Sequence, residues 1–142
     1  AIAASVYFPA GEITIEEFSP DPGHFEEAAR AVRYLVEHAG NVGVFEKADY
    51  LNVNAPLPPE EGPARMEITR PSHAYEMDAE HDGNGTVTIH DRIWGMMAEG
   101  SVPDPEGSDR RAVLEGRVSV SPLTAPHTTT EHEALSGLAE AY

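Results

Sequence analysis

The run Leu51-Asn52-Val53-Asn54-Ala55-Pro56 constrains the fold more than any other: it reads as a buried strand closed by proline, a residue that cannot donate to a sheet ladder. Residues 106–123, EGSDRRAVLEGRVSVSPL, follow the same logic. There Ser108 or Asp109 caps a short helix reaching about residue 115, Ala112, Val113 and Leu114 turn inward, and Gly116 stops it. The strand that follows, 117–123, puts Val118 and Val120 on one face, and Pro122 limits its end. The opening residues AIAASVYF form a small-residue and β-branched run of the kind found in buried parallel strands. A chain that opens inside a strand is expected to be cut from a longer one.

Between these strands lies the strongest helix signal. Asp21 caps, Pro22 suits the first helical position, and Glu26 and Glu27 sit near the positive end of the dipole. Phe25, Ala28, Ala29, Val32, Leu35, Val36 and Ala39 recur at helical spacing, and Gly40 ends the run, which predicts an amphipathic helix covering a sheet. Residues 12–17, EITIEE, alternate as a half-exposed strand or loop edge does. Pro56, Pro58, Pro59 and Pro63 then break regular structure and mark an internal boundary. Beyond it, residues 66–70, 75–78 and 87–93 read as short strands, the last two joined across Asp82-Gly83-Asn84-Gly85 in a protruding hairpin. Trp94, Met96 and Met97 close that hairpin with bulk suited to a partner surface. A last short helix is expected over 131–141, with Leu135 and Leu138 needing something to dock on.

Composition narrows the function. Twenty-five acidic residues stand against nine basic ones, of which Lys47 is the single lysine, giving a formal charge of −16. Such a surface disfavours nucleic-acid polymers, whose binding rests on Lys and Arg displacing counterions, and disfavours anionic membranes. With 40% apolar residues in periodic blocks the chain is a folded one, not a disordered acidic one, and its charge suits screening at high salt. A halophilic source is expected. Cysteine is absent, which removes disulfides and thiol chemistry, and no charged leader or membrane-length apolar run occurs, so the expected location is cytoplasmic.

Several patterns could carry chemistry. Residues 80–91 place Glu80, Asp82, Asn84 and Asp91 at the oxygen-ligand positions of an EF-hand around Gly85. Glu at the first position, Asp at the last and strand-like flanks favour an acidic hairpin turn over calcium binding. His81-Asp82 and His90-Asp91 resemble a metal-bound pair, but a turn centred near Asn84 places His90 opposite about Asp78 and away from His81. Glu26-Glu27 and Glu60-Glu61 read as solvated carboxylates. No G-x-S-x-G elbow supports a nucleophilic serine. Gly107-Ser108-Asp109 could offer backbone N–H groups to an anion, with simple helix capping favoured. Arg70, His73 and Tyr75 make a cationic and hydrogen-bonding cluster that a phosphate or a neighbouring subunit could use, weighed against an Arg paired with local carboxylates.

Taken in order, AIAAS, FEEAARAVRYLVEH, LNVNAP, MEITRPSHAY and EGSDRRAVLEGRVSVSPLT resemble the C-terminal part of the SurE family, metal-dependent phosphatases of nucleoside 5′-monophosphates. Arg70, His73 and Tyr75 match the family's V-T-R-L-G-R-R-H-Y segment, from which Pro71 and Ala74 depart, and Ser108 replaces a threonine. The resemblance implies an α/β fold, the C-terminal part of a Rossmann-like three-layer α/β/α structure with a protruding β-hairpin and a C-terminal helix. It implies that residues 1–59 belong to the α/β core and that 60–142 form the hairpin extension, a short helix-strand unit and the C-terminal helix. It further implies a Mg²⁺ or Mn²⁺ ion in the full-length protein, a nucleoside 5′-monophosphate substrate and homo-oligomers built through the hairpin and the last helix. The family's adjacent aspartates and its phosphate-contacting loop match nothing in these residues, so no metal ligand or catalytic residue carries over. The chain is therefore expected to be inactive by itself. The other reading is a non-enzymatic oligomerisation or binding module of the same architecture.

Overall fold

The computed structural model describes residues 1–9, 21–74 and 76–125. The edge expected at 12–17 and the helix expected at 131–141 lie outside these residues. A four-stranded mixed sheet organises the rest, in the order β1 (Ile2–Val6), β2 (Tyr50–Ala55), β6 (Val118–Leu123), β3 (Met66–Ile68). β1 runs parallel to β2, with Ala4 beside Val53, and β6 returns antiparallel, with Val120 beside Val53 and Ser119 beside Asn54. β3 lies parallel to β6. The sheet takes β1 and β2 from residues 1–59 and β3 and β6 from 60–142.

Alternation along the strands creates two unlike faces. One carries Leu51, Val53, Ala55, Val118 and Val120, all buried under α1 (Glu26–His38). Helix α1 starts from a turn in which the Asp21 carboxylate accepts the Gly23 N–H at 2.7 Å, with Pro22 following the cap as the sequence predicts. Its buried stripe is Glu27, Ala28, Ala31, Leu35 and, just past its end, Ala39, rotated from the expected one: Phe25 and Val36 face solvent, Val36 at 70% exposure. Ala31 fits where the helix backbone approaches the sheet, and the bulkier Val36 points away. Glu27 corrects the reading of a solvated carboxylate, because it is buried, paired with Arg30 at 2.5 Å, and Arg30 also donates to the Ala64 carbonyl.

The other face is polar and is closed over β6. Ser119 and Ser121 are fully buried, and the Thr69 hydroxyl joins them at 2.7 and 2.8 Å, so each hydroxyl is hydrogen-bonded although none reaches water. Helix α3 (Asp109–Leu114) lies over this face against β6 and β2, with Ala112 and Val113 buried. Gly116, at φ 75°, then turns the chain into β6. β1 is parallel as expected but mostly exposed, since among the described residues it is the edge strand on its side.

A separate hairpin pairs β4 (Met77–His81) with β5 (Val87–Asp91). His90 sits opposite Asp78, the register read from the turn. Asp82 braces that turn by accepting the Asn84 and Thr86 N–H groups, which hold its carboxyl below the ordinary value. One unexpected element follows. Where a strand continues to residue 93 in the sequence reading, Ile93–Glu99 forms a helix, α2, opened by the Asp91 carboxylate accepting the Ile93 N–H and closed by Gly100 at φ 66°. Trp94, Met96 and Met97 therefore sit on a helix, anchored by buried Ile93.

Candidate substrate crevice

The parallel strands β1 and β2 run side by side to Val6 and Ala55, and the polar face near those carboxyl ends places Ser5 next to Asn54. The Ser5 hydroxyl donates to the Asn54 side-chain oxygen at 2.6 Å. Among the described residues the Asn54 amide nitrogen makes no further hydrogen bond, which leaves it free to donate. Helix α2 brings Trp94 and Met97 to this spot, and α3 brings Asp109, Arg110 and Val113. Together with Val6 and Tyr7 they enclose a crevice of about 280 Å³. Its position follows the rule that ligands of open α/β sheets bind outside the carboxyl ends of the strands.

Arg110 fixes one wall. Its Nε donates to Asp104 Oδ2 at 2.5 Å, and one terminal nitrogen donates to Asp104 Oδ1, the Ser72 hydroxyl and the Ala74 carbonyl at 2.8, 2.7 and 3.0 Å. The Ser72 hydroxyl donates in turn to Asp104, whose side chain is almost wholly buried, and the Ser72 N–H donates to Asp109 at 2.8 Å. Burial pushes the Asp104 carboxyl up, yet hydrogen bonds from Arg110 and Ser72, with the Arg110 charge, outweigh it and hold it below its usual value. The same hydrogen bond raises Arg110 against the opposing effect of burial, with the charges of Asp104, Asp109 and Asp91 adding to it. This clasp ties the segment after β3 to the start of α3.

Of the substrate- or interface-adjacent candidates read from sequence, Asp109 lines the crevice, and Arg70, His73, Gly107 and Ser108 do not. Arg70 is exposed, its backbone bridging to Ser108, and its guanidinium makes no hydrogen bond or ion pair with any described residue. His73 is exposed on the same turn, and Tyr75 lies outside the described residues. Gly107 takes φ 81°, and its carbonyl accepts the Arg70 N–H. Ser108 is buried, and its hydroxyl donates to the Pro105 carbonyl instead of capping α3. The N–H groups of Ser108, Asp109 and Arg110 are spent on Pro105, Arg70 and the Asp109 carboxylate, which withdraws most of that turn's donors from an anion. Asp104, Arg110 and Asn54 escaped the sequence reading, since Asn54 meets Ser5 and Arg110 meets Ser72 only across distant segments, whereas Trp94 was read as partner-surface bulk and not as part of a crevice.

A larger opening of about 1200 Å³ lies at the other end of the sheet, where Leu51, Met66, Val120, Pro122 and Leu123 meet the end of α1. It lies toward the amino end of β2 and exposes core side chains more than polar groups.

The described residues gather no site for the divalent cation that the family resemblance implies. Among the described residues no three His, Asp or Glu side chains gather as ligands. In the hairpin, His81 and His90 point to opposite faces, His81 Nδ1 accepts the Gly83 N–H, and strands flank the turn where a calcium loop needs helices. Nor is any helix among these residues long and apolar enough to cross a membrane.

No family model matches the chain. Curated proteins do: it is 72% identical over all 142 residues to the 5′-nucleotidase SurE of Natronomonas pharaonis, covering 55% of that protein. It is 57% identical over 143 aligned residues to the 5′-nucleotidase SurE of Haloarcula marismortui, covering 52% of it. Among solved structures, the SurE protein from Aquifex aeolicus superposes with a TM-score of 0.56 at 27% identity, over 92% of this chain and 47% of that one. The chain thus spans about half the length of the curated relatives it matches.

Proposed function

Because the chain belongs to the SurE family, we propose that it is the C-terminal part of a phosphatase that hydrolyses nucleoside 5′-monophosphates to nucleoside and phosphate. The observation that carries this reading is the 72% identity, unbroken over all 142 residues, to a protein named 5′-nucleotidase SurE. The α/β architecture and the likeness to a solved SurE protein support it. Residues outside the chain hold the Mg²⁺ or Mn²⁺ ion, a reading supported by the family resemblance and by the lack of a three-ligand cluster among the described residues. This chain contributes part of the sheet, the crevice at its carboxyl ends and the Asp104–Arg110 clasp. The whole protein works in the cytoplasm of a halophile, a reading supported by the −16 charge and by relatives from halophilic archaea.

The hairpin supplies contacts for a homo-oligomer. Its register puts Met77, Ala79, Val87 and Ile89 on one exposed face, an apolar surface that a second copy can cover. In the same assembly residues 60–142 supply the association elements, with 131–141 as a further contact.

The test compares this 142-residue chain with the protein extended to the full length of its relatives, both assayed on adenosine 5′-monophosphate with Mn²⁺ or Mg²⁺ at high salt. Release of phosphate by the long form only is the expected result. Metal-dependent hydrolysis by the short chain overturns the division of labour, and a long form inert towards every nucleoside monophosphate favours the non-enzymatic binding module.

A further inference from the structure

We propose that the crevice at the carboxyl ends of β1 and β2 seats the nucleobase of the substrate, with Trp94 as its stacking platform; this rests on the nucleotidase reading above. Trp94 is the chain's single tryptophan, and it stands 57% exposed at the border of this open crevice. A tryptophan in that position presents a bare aromatic face, the surface on which bases stack whatever their identity.

The helix holding it is fixed at its start. The Asp91 carboxylate caps the Ile93 N–H, the Arg92 N–H donates to the Glu76 carbonyl, the Arg92 guanidinium pairs with Asp78 at 2.6 Å, and Ile93 is buried. With its neighbours held, Trp94 meets a ligand in a prepared position. Met97, one helical turn away on the same side, adds a polarisable apolar contact.

The lining selects the part of a nucleotide that fits. Its one cation, Arg110, already donates to Asp104, Ser72 and Ala74, and Asp109 adds a negative charge. A phosphate would meet the Asp109 carboxylate, with Arg110 already committed to its partners in the clasp. A neutral ring system instead meets Trp94, Met97 and Val113, and at its edge the Asn54 amide N–H groups and the Ser5 oxygen. The volume, about 280 Å³, lies just below the range of sites that enclose a whole drug-sized ligand, so it suits one ring system with the sugar and phosphate outside.

Calorimetric titration of the full-length protein with adenosine, which has no phosphate to hydrolyse, reads this site separately from catalysis. Adenosine is expected to bind, W94A to weaken it about tenfold, within the range known for base–aromatic stacking, and W94F to restore most of the loss. Ribose 5-phosphate, which has no base, is expected to bind W94A and wild type alike. Circular dichroism confirms that W94A folds, as the exposure of the side chain leads one to expect. Equal adenosine affinity in W94A and wild type, no adenosine binding at all, or an equal loss for ribose 5-phosphate overturns the assignment. If the protein hydrolyses no nucleoside monophosphate yet W94A still weakens adenosine, the enzymatic reading fails and the base site stands.

Discussion

In β2, Leu51, Val53 and Ala55 alternate with Tyr50, Asn52 and Asn54; in the hairpin, Met77 and Ala79 alternate with Asp78 and Glu80 opposite Val87 and Ile89. The same two-residue period leads to opposite outcomes. Val53 is fully buried, whereas every residue of β4 and β5 is exposed. What differs is cover: α1 and α3 close the two faces of the sheet, and no described element packs closely on the hairpin. Alternation thus specifies which side chains share a face, and only a second layer decides whether that face leaves water.

The contrast can be broken first at its strong end. V53D puts a charge between α1 and the sheet, and the cost is expected to exceed about 4 kcal/mol, enough to unfold most of the protein at moderate denaturant. A denaturation midpoint close to wild type would mean that this face is not the core.

Next comes the clasp. D104N leaves Arg110 without its charge partner, with an expected loss of about 3 kcal/mol, at the lower end for buried pairs because Arg110 keeps some exposure. The folded pKa of Asp104 is lowered, so its contribution is complete above the ordinary aspartate value of about 4 and disappears as the pH falls through the lowered one. The stability gap between wild type and D104N, measured by denaturant titration in high salt, is expected to be constant near neutrality and to narrow in acid. A gap that widens below pH 4 contradicts the sign.

The smallest effect on stability belongs to the hairpin. V87S combined with I89S should change the unfolding free energy by less than about 0.5 kcal/mol, since both side chains already face water. Sedimentation of the full-length protein should show lost association. An unchanged oligomer would assign that apolar face to something other than a second copy.

Much of the sheet was legible because its signals are local: a proline after Ala55, paired valines in β6, Asp21 and Pro22 before α1. The hairpin and its register followed from one Gly-rich turn. Helix α2 was missed because Ile93 and Trp94 extend a β-branched and aromatic run, yet Asp91 before it and Gly100 after it are a start and a stop that a reading of both ends together would have caught. Ser119 and Ser121 look like the wet side of a strand, and only Thr69, fifty residues earlier, explains how they are buried. The candidate site was least legible. Ser5, Asn54, Trp94 and Arg110 carry no spacing that marks them, and it is the crossing of two strands by two helices that brings them together.

The outer side of β1 carries one more consequence. The Tyr7 N–H points inward to the Ala55 carbonyl, so by strand alternation the N–H groups of Ile2, Ala4 and Val6 point away from β2, where no described strand receives them. In deuterated solvent those three amides should trade their protons quickly while their inward neighbours keep theirs. A slowing of the same three in the longer protein would record, residue by residue, the arrival of another strand alongside.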